Sequence, residues 1–143
     1  MDLLTTMYLK TSYVVHMLCE FFLCAYVFII PKKYDIFYAL YILLLVVLKL
    51  IFKYECIINY FDKKILDPSY ELGSDPSYVP YKRELYNDNL HFIFLINCFI
   101  LLNLVAIAYR NRKSQYIPLL CGINIVFWIF LEYKTQDYSP LFM

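Results

Sequence analysis

The run SYVVHMLCEFFLCAYVFII, Ser12–Ile30, decides the fold. Its length suits one crossing of a bilayer, because about 20 mainly apolar residues cover about 30 Å of hydrocarbon. Within it, His16 and Glu20 stand one helical turn apart, and it stops at Pro31-Lys32-Lys33. Three similar runs follow: about Ile36–Phe52, then Leu90–Tyr109, which ends at Arg110-Asn111-Arg112-Lys113, and last Tyr116–Leu131. The last is the shortest and contains Pro118 and Gly122, which a helix in lipid tolerates when its neighbours satisfy the freed backbone groups. Its alternative is a re-entrant or interfacial segment.

Composition agrees with these runs. The chain is 62% hydrophobic and 17% charged, against about 25% charged in ordinary soluble domains. The reading is an all-α protein: one membrane domain, 1–143, forming an integral membrane four-helix bundle. Its spans are expected at about 12–30, 36–52, 90–109 and 116–131, with a polar loop at 53–89. Ser12–Ile30 is expected to be retained rather than cleaved as a secretory signal, since MDLLTTMYLK ahead of it is not a basic leader and no small-residue cleavage site follows.

The short connections Pro31–Asp35 and Arg110–Gln115 make two transmembrane helical hairpins, with both turns at one side and the termini and loop at the other. Lysine and arginine do not settle the orientation, because a raw count favours one side and density at the helix ends favours the other. Tyr8, Tyr13, Tyr34, Tyr54, Tyr60, Tyr109, Tyr116 and Tyr133 lie near the proposed boundaries, where aromatic belts form. The 16 Tyr and 12 Phe beside only 2 Gly also match the codon bias of an AT-rich genome, such as that of a large DNA virus, an organelle or a protist.

Polar groups inside lipid are costly and invite a functional reading. Ser12, His16, Glu20 and Cys24 recur every four residues and share one stripe of the first helix. Folding the first hairpin about Lys33 brings Glu20 and Lys49 to depths that differ by roughly 4–5 Å at 1.5 Å per residue. They are the expected buried ion pair. The same construction on the second hairpin places Asn97, Asn103 and Asn124 at similar depths, as an interhelical polar layer. One reading of these groups is proton or cation transfer along the His16/Glu20 stripe. The other is fixation of helix register, since interhelical polar contacts contribute about 0.6–2 kcal/mol each in membranes.

In the loop, Asp67-Pro68-Ser69-Tyr70 is repeated as Asp75-Pro76-Ser77-Tyr78. Asp-Pro-Ser is turn chemistry: the carboxylate takes nearby backbone N–H groups and proline presets φ. Asp67, Tyr70, Asp75 and Tyr78 form a candidate docking surface for a partner. The preceding Tyr54–Leu66 has apolar residues at helical spacing, Ile57, Ile58, Phe61 and Ile65, which fits an interfacial amphipathic helix or an extension of the second span.

Other chemistry finds little support. Two histidines do not make a zinc site, and the loop aspartates lack calcium-loop spacing, so no metal and no cofactor is expected. The five cysteines contain no C-x-x-C, and Cys56 alone lies near a boundary where palmitoylation occurs. Phosphate-binding loops and nucleophile elbows are absent. A net charge of +1 points to no nucleic-acid partner. The expected partners are the lipid bilayer and other proteins, or copies of the chain itself. The function expected is therefore a non-catalytic structural, assembly or accessory component of a membrane. A small oligomeric channel or proton-linked carrier is the alternative, and a membrane-embedded enzyme the remote one.

Overall fold

A computed structural model of the chain describes residues 2–142 and is all-helical, with no strand among them. Six α-helices follow in order: α1 (Leu3–Ile29), α2 (Asp35–Ile51), α3 (Ile57–Leu66), α4 (Pro80–Tyr86), α5 (Leu90–Arg110) and α6 (Tyr116–Thr135). Four are long and apolar enough to cross a membrane: α1, α2 with the 3-10 turn Lys32–Tyr34 ahead of it, α5 and α6.

Two boundaries differ from the hydropathy reading for local reasons. α1 starts at Leu3, well before Ser12, because Asp2 caps it by accepting the Thr5 N–H at 2.7 Å. α6 continues past Leu131 to Thr135, so the shortest run becomes a full-length helix. Pro118 interrupts nothing, because it lies in the first turn, where backbone N–H groups have no helical partner.

α1 lies along α5, α5 along α6, and α6 along α2. One asparagine bridges each of these contacts. Asn103 on α5 donates to the Cys24 carbonyl at 2.7 Å and accepts the Val27 N–H at 2.8 Å, both on α1. Asn97 on α5 donates to Glu132 at 2.9 Å and accepts from the Trp128 indole at 3.1 Å, both on α6. Asn124 on α6 donates to the Ala39 carbonyl of α2 at 2.8 Å. The asparagines expected as a layer are thus three separate clasps, each on its own helix pair. Around them pack Ala39, Ile42, Val46, Ile100, Leu104, Ile107, Cys121 and Leu131, all nearly inaccessible. Replacing Asn103 by alanine is expected to cost about 1–2 kcal/mol, read from thermal unfolding in detergent, while Leu102→Ala on the exposed face is close to neutral.

The first pair of helices departs from a hairpin closed along its length. α1 and α2 are consecutive, yet their backbones are not in close register; they meet through Tyr38, whose hydroxyl donates to the Leu23 carbonyl at 2.9 Å and whose ring rests on Tyr26. Bulky rings hold them apart, with Phe22, Phe37 and Tyr41 lining the gap.

Both turns come together at one end. Asp35, fully buried, takes Nε of Arg110 at 2.6 Å and a second guanidinium hydrogen bond from Nη2, and the Asn111 amide adds a third donor. Arg110 also reaches the carbonyls of Val27 and Ile30 at 3.4 and 3.3 Å. Arg110 therefore ties the second turn to the first, with the planar fork that carboxylates accept best.

Candidate functional site

The other end of the bundle is closed by the segment 53–89. Lys53 and Tyr54 both adopt left-handed conformations, with φ of 50° and 72°, and turn the chain sharply out of α2 so that Glu55 and Cys56 roof the helices. Such non-glycine conformations are costly and persist only where surroundings enforce them. Gly73 closes the turn over Lys53 at φ 82°, and a Cβ there would sit 2.7 Å from the Lys53 Cβ, so only glycine fits.

α3 is turned inside out relative to a soluble helix. Its buried residues are Asn59, Asp62 and Lys63, while Ile58, Phe61 and Ile65 are exposed. Lys63, 2% exposed, lies 3.2 Å from Glu55 Oε1 and donates to the Tyr70 hydroxyl at 3.0 Å and the Asp75 carbonyl at 2.7 Å. Tyr70 donates to Glu55 in turn. Both Asp-Pro-Ser turns form: Asp67 accepts the Ser69 N–H at 2.9 Å, and Asp75 accepts the Tyr78 N–H at 3.2 Å. Their carboxyls are held below the usual carboxylate range, chiefly by the hydroxyls of Ser69 and Ser77. Asp67 and Asp75 stay exposed, whereas Tyr70 points inward onto Lys63. The four residues expected as one docking surface are therefore divided: the two carboxylates face outward, while the rings of Tyr70 and Tyr78 lie against the buried Lys63.

Beneath this roof lies a cavity of about 210 Å³, walled by α1, α2, α5 and α6. The stripe of α1 faces it and the loop helices. Ser12 donates to Asp62 at 2.8 Å; His16 Nδ1 lies 2.9 Å from the Ser12 carbonyl; Cys24 donates weakly to the Ile96 carbonyl at 3.6 Å. Burial raises the Asp62 carboxyl above its usual range against the lowering effect of Ser12, His16 and Tyr8.

Glu20 does not pair with Lys49. It accepts from Tyr81 at 2.6 Å and Tyr86 at 3.0 Å, with Lys82 3.9 Å away, all three on α4. Lys49 instead approaches Glu132 of α6 at 3.7 Å and lies over the Trp128 ring. The splaying of α1 from α2 explains the exchange, because it leaves Glu20 and Lys49 as parts of the wall of one cavity, where each takes a partner from another helix. Burial and then the Glu20 carboxylate push the Tyr81 and Tyr86 hydroxyls up, which keeps both as neutral donors.

The chain matches no family model, no curated protein and no solved structure.

Reading the sequence missed Asp35, Glu132, Tyr81 and the buried Glu55–Lys63 pair. For Asp35 and Arg110 a signal existed: they begin and end helices beside the two short turns, so opposite charges stand at one depth. For Tyr81 there was none, because nothing local says that α4 folds back onto α1.

Proposed function

We propose that this chain is an integral membrane protein, a four-helix bundle whose exposed faces meet lipid and whose role is that of a non-catalytic structural, assembly or accessory component of a membrane. The observation that carries the reading is the pairing of the acidic groups within the long helices. Asp35 is held by Arg110, Glu20 by two tyrosines and Lys82, and Glu132 by Lys49, Asn97 and Tyr138. A conduit needs groups free to exchange ions or protons with a path. Here they spend their bonds joining helices, as the register reading requires.

Two surface features support membrane insertion. Leucine, valine and phenylalanine stand outward along the long helices, with Leu102 60%, Val105 52% and Val126 66% exposed, a display that monomers in water rarely sustain. The exposed row of α3, Ile58, Phe61 and Ile65, suits a helix lying at a headgroup boundary.

The expected results are membrane retention through alkaline carbonate extraction and proton flux in proteoliposomes no greater than in empty vesicles. Glu20→Gln lowers stability by about 1–3 kcal/mol through its weakened bonds to Tyr81 and Tyr86, leaving flux unchanged. Flux above background that disappears in that variant overturns the reading and makes the α1 stripe a transport path.

A further inference from the structure

Cys56 and His16 make a pair that the register reading leaves unused. A carbonyl oxygen only accepts, so the 2.9 Å contact with the Ser12 carbonyl assigns the ring proton to Nδ1. Nε2 is left as an acceptor, and it faces the Cys56 sulfur at 3.8 Å. Tyr81 stacks on the imidazole with ring centroids 4.6 Å apart and planes 10° from parallel, which holds the ring in that pose. A thiol beside an oriented imidazole acceptor is the arrangement that activates a cysteine nucleophile. Cys56 is also the N-cap residue of α3, where the helix dipole favours negative charge. Burial pushes this thiol up, but His16 and the amides of Asn59 and Ile58 more than offset it, so the thiol ends below its usual range.

A second observation points to a ligand. Glu55 Oε2 and Asn59 Oδ1 have no hydrogen-bond partner among the described residues, although their residues are only 3% and 8% exposed. Both residues line the cavity beside Cys56. Two buried acceptors ask for a ligand that brings N–H or O–H donors, because a buried polar atom left unmet is costly. Part of the wall is apolar, with Val15, Leu23, Leu45 and Leu48 on α1 and α2, while Glu20, Lys49 and Glu132 also line the cavity.

We propose that Cys56 accepts a long-chain acyl group from an acyl thioester, with His16 as its base and the α1–α2 gap receiving the chain. His16 Nε2 takes the thiol proton, and the Cys56 sulfur attacks the thioester carbonyl carbon. A new sulfur–carbon bond forms as the donor's carbon–sulfur bond breaks, and the departing thiolate recovers the proton from His16. Nothing is oxidised or reduced. Amide N–H groups along the donor's thiol arm meet Glu55 and Asn59. The choice of a long chain rests on the membrane reading and on the apolar part of the wall; the nucleophilic pair does not.

The purified full chain in detergent is incubated with palmitoyl-coenzyme A and followed by intact mass and peptide mapping. Expected is one hydroxylamine-labile palmitoyl group on Cys56, absent in Cys56→Ser, with Cys19 and Cys98 unmodified. His16→Gln slows the reaction about 100-fold, the contribution of a positioned base. The pH profile of Cys56 alkylation by iodoacetamide separates a catalytic effect from a folding defect. The titratable groups facing the thiol are His16 from α1, Tyr41 from α2, Tyr81 from α4 and the adjoining Glu55. Loss of His16 moves the profile to higher pH in a variant that still melts cooperatively, and rescue of folding alone does not move it back. No adduct on Cys56, equal labelling of Cys98, or an unchanged rate and profile in His16→Gln each overturns the proposal. A chain that is acylated but extracted by carbonate overturns the membrane reading and leaves the nucleophile in place.

Discussion

Asp35→Ala is expected to cost about 3–5 kcal/mol, the usual consequence of breaking a buried ion pair from one side. Asp35 is 0% exposed and is the point where Arg110 and Asn111 converge. Its removal leaves the guanidinium with only long contacts to the Val27 and Ile30 carbonyls, and no other acid among the described residues is paired with it. Unfolding in detergent, followed by helicity against denaturant, reads the loss directly. The double variant Asp35→Leu with Arg110→Met removes both charges and is expected to recover most of it, because apolar replacement of a whole buried pair is often neutral. If the single variant melts as the wild type does, the two turns are held by apolar packing and the charge pair is incidental.

Lys63→Ala is expected to have an effect of similar size, about 3–5 kcal/mol, but confined to the roof. The ammonium satisfies Glu55, Tyr70 and the Asp75 carbonyl together, and among the described residues no other cation lies within ion-pair distance of Glu55. Without it a carboxylate that is 3% exposed has lost its counter-charge. The three asparagine clasps lie in the long helices, so the loop can open while the bundle persists. The loss therefore appears as rapid proteolysis within 53–89 and faster alkylation of Cys56, with little change in the main unfolding transition. Lys63→Met combined with Glu55→Gln is expected to close the roof again. Unaltered cleavage in Lys63→Ala would mean that the Asp-Pro-Ser turns and Gly73 hold the segment unaided.

Most of what depends on spacing along one helix was legible. The four long helices follow from apolar runs, their turns from Pro31 and the basic cluster after Tyr109, and the two loop turns from Asp-Pro-Ser. The outward-pointing errors were those of capping: hydropathy could not see that Asp2 starts α1 early. Partnership between helices was harder. Equal depth is necessary for a contact but not sufficient, and Glu20 with Lys49 met that condition without meeting each other. The rings of Phe22, Tyr26, Phe37, Tyr38 and Tyr41 keep α1 and α2 apart, so α4 reaches Glu20 first and α6 reaches Lys49.

The site shows the same division. Ser12, His16, Glu20 and Cys24 share a face because a helix repeats every 3.6 residues, and any reader of the chain can place them there. That this face meets Asp62, Cys56, Tyr81 and Ile96 depends on how the 53–89 segment folds back and on α5 lying beside α1. Cys56 read alone is an ordinary thiol at a boundary; beside an oriented imidazole it is a different chemical group. Local periodicity and capping, which act within a few residues, determined that this is an all-helical chain with four helices apolar enough to span a membrane. Which charges pair, which asparagine clasps which helix, and which thiol meets the histidine were decided only in three dimensions, because those contacts join residues far apart in the chain and their geometry is set by side-chain volume between helices rather than by sequence spacing.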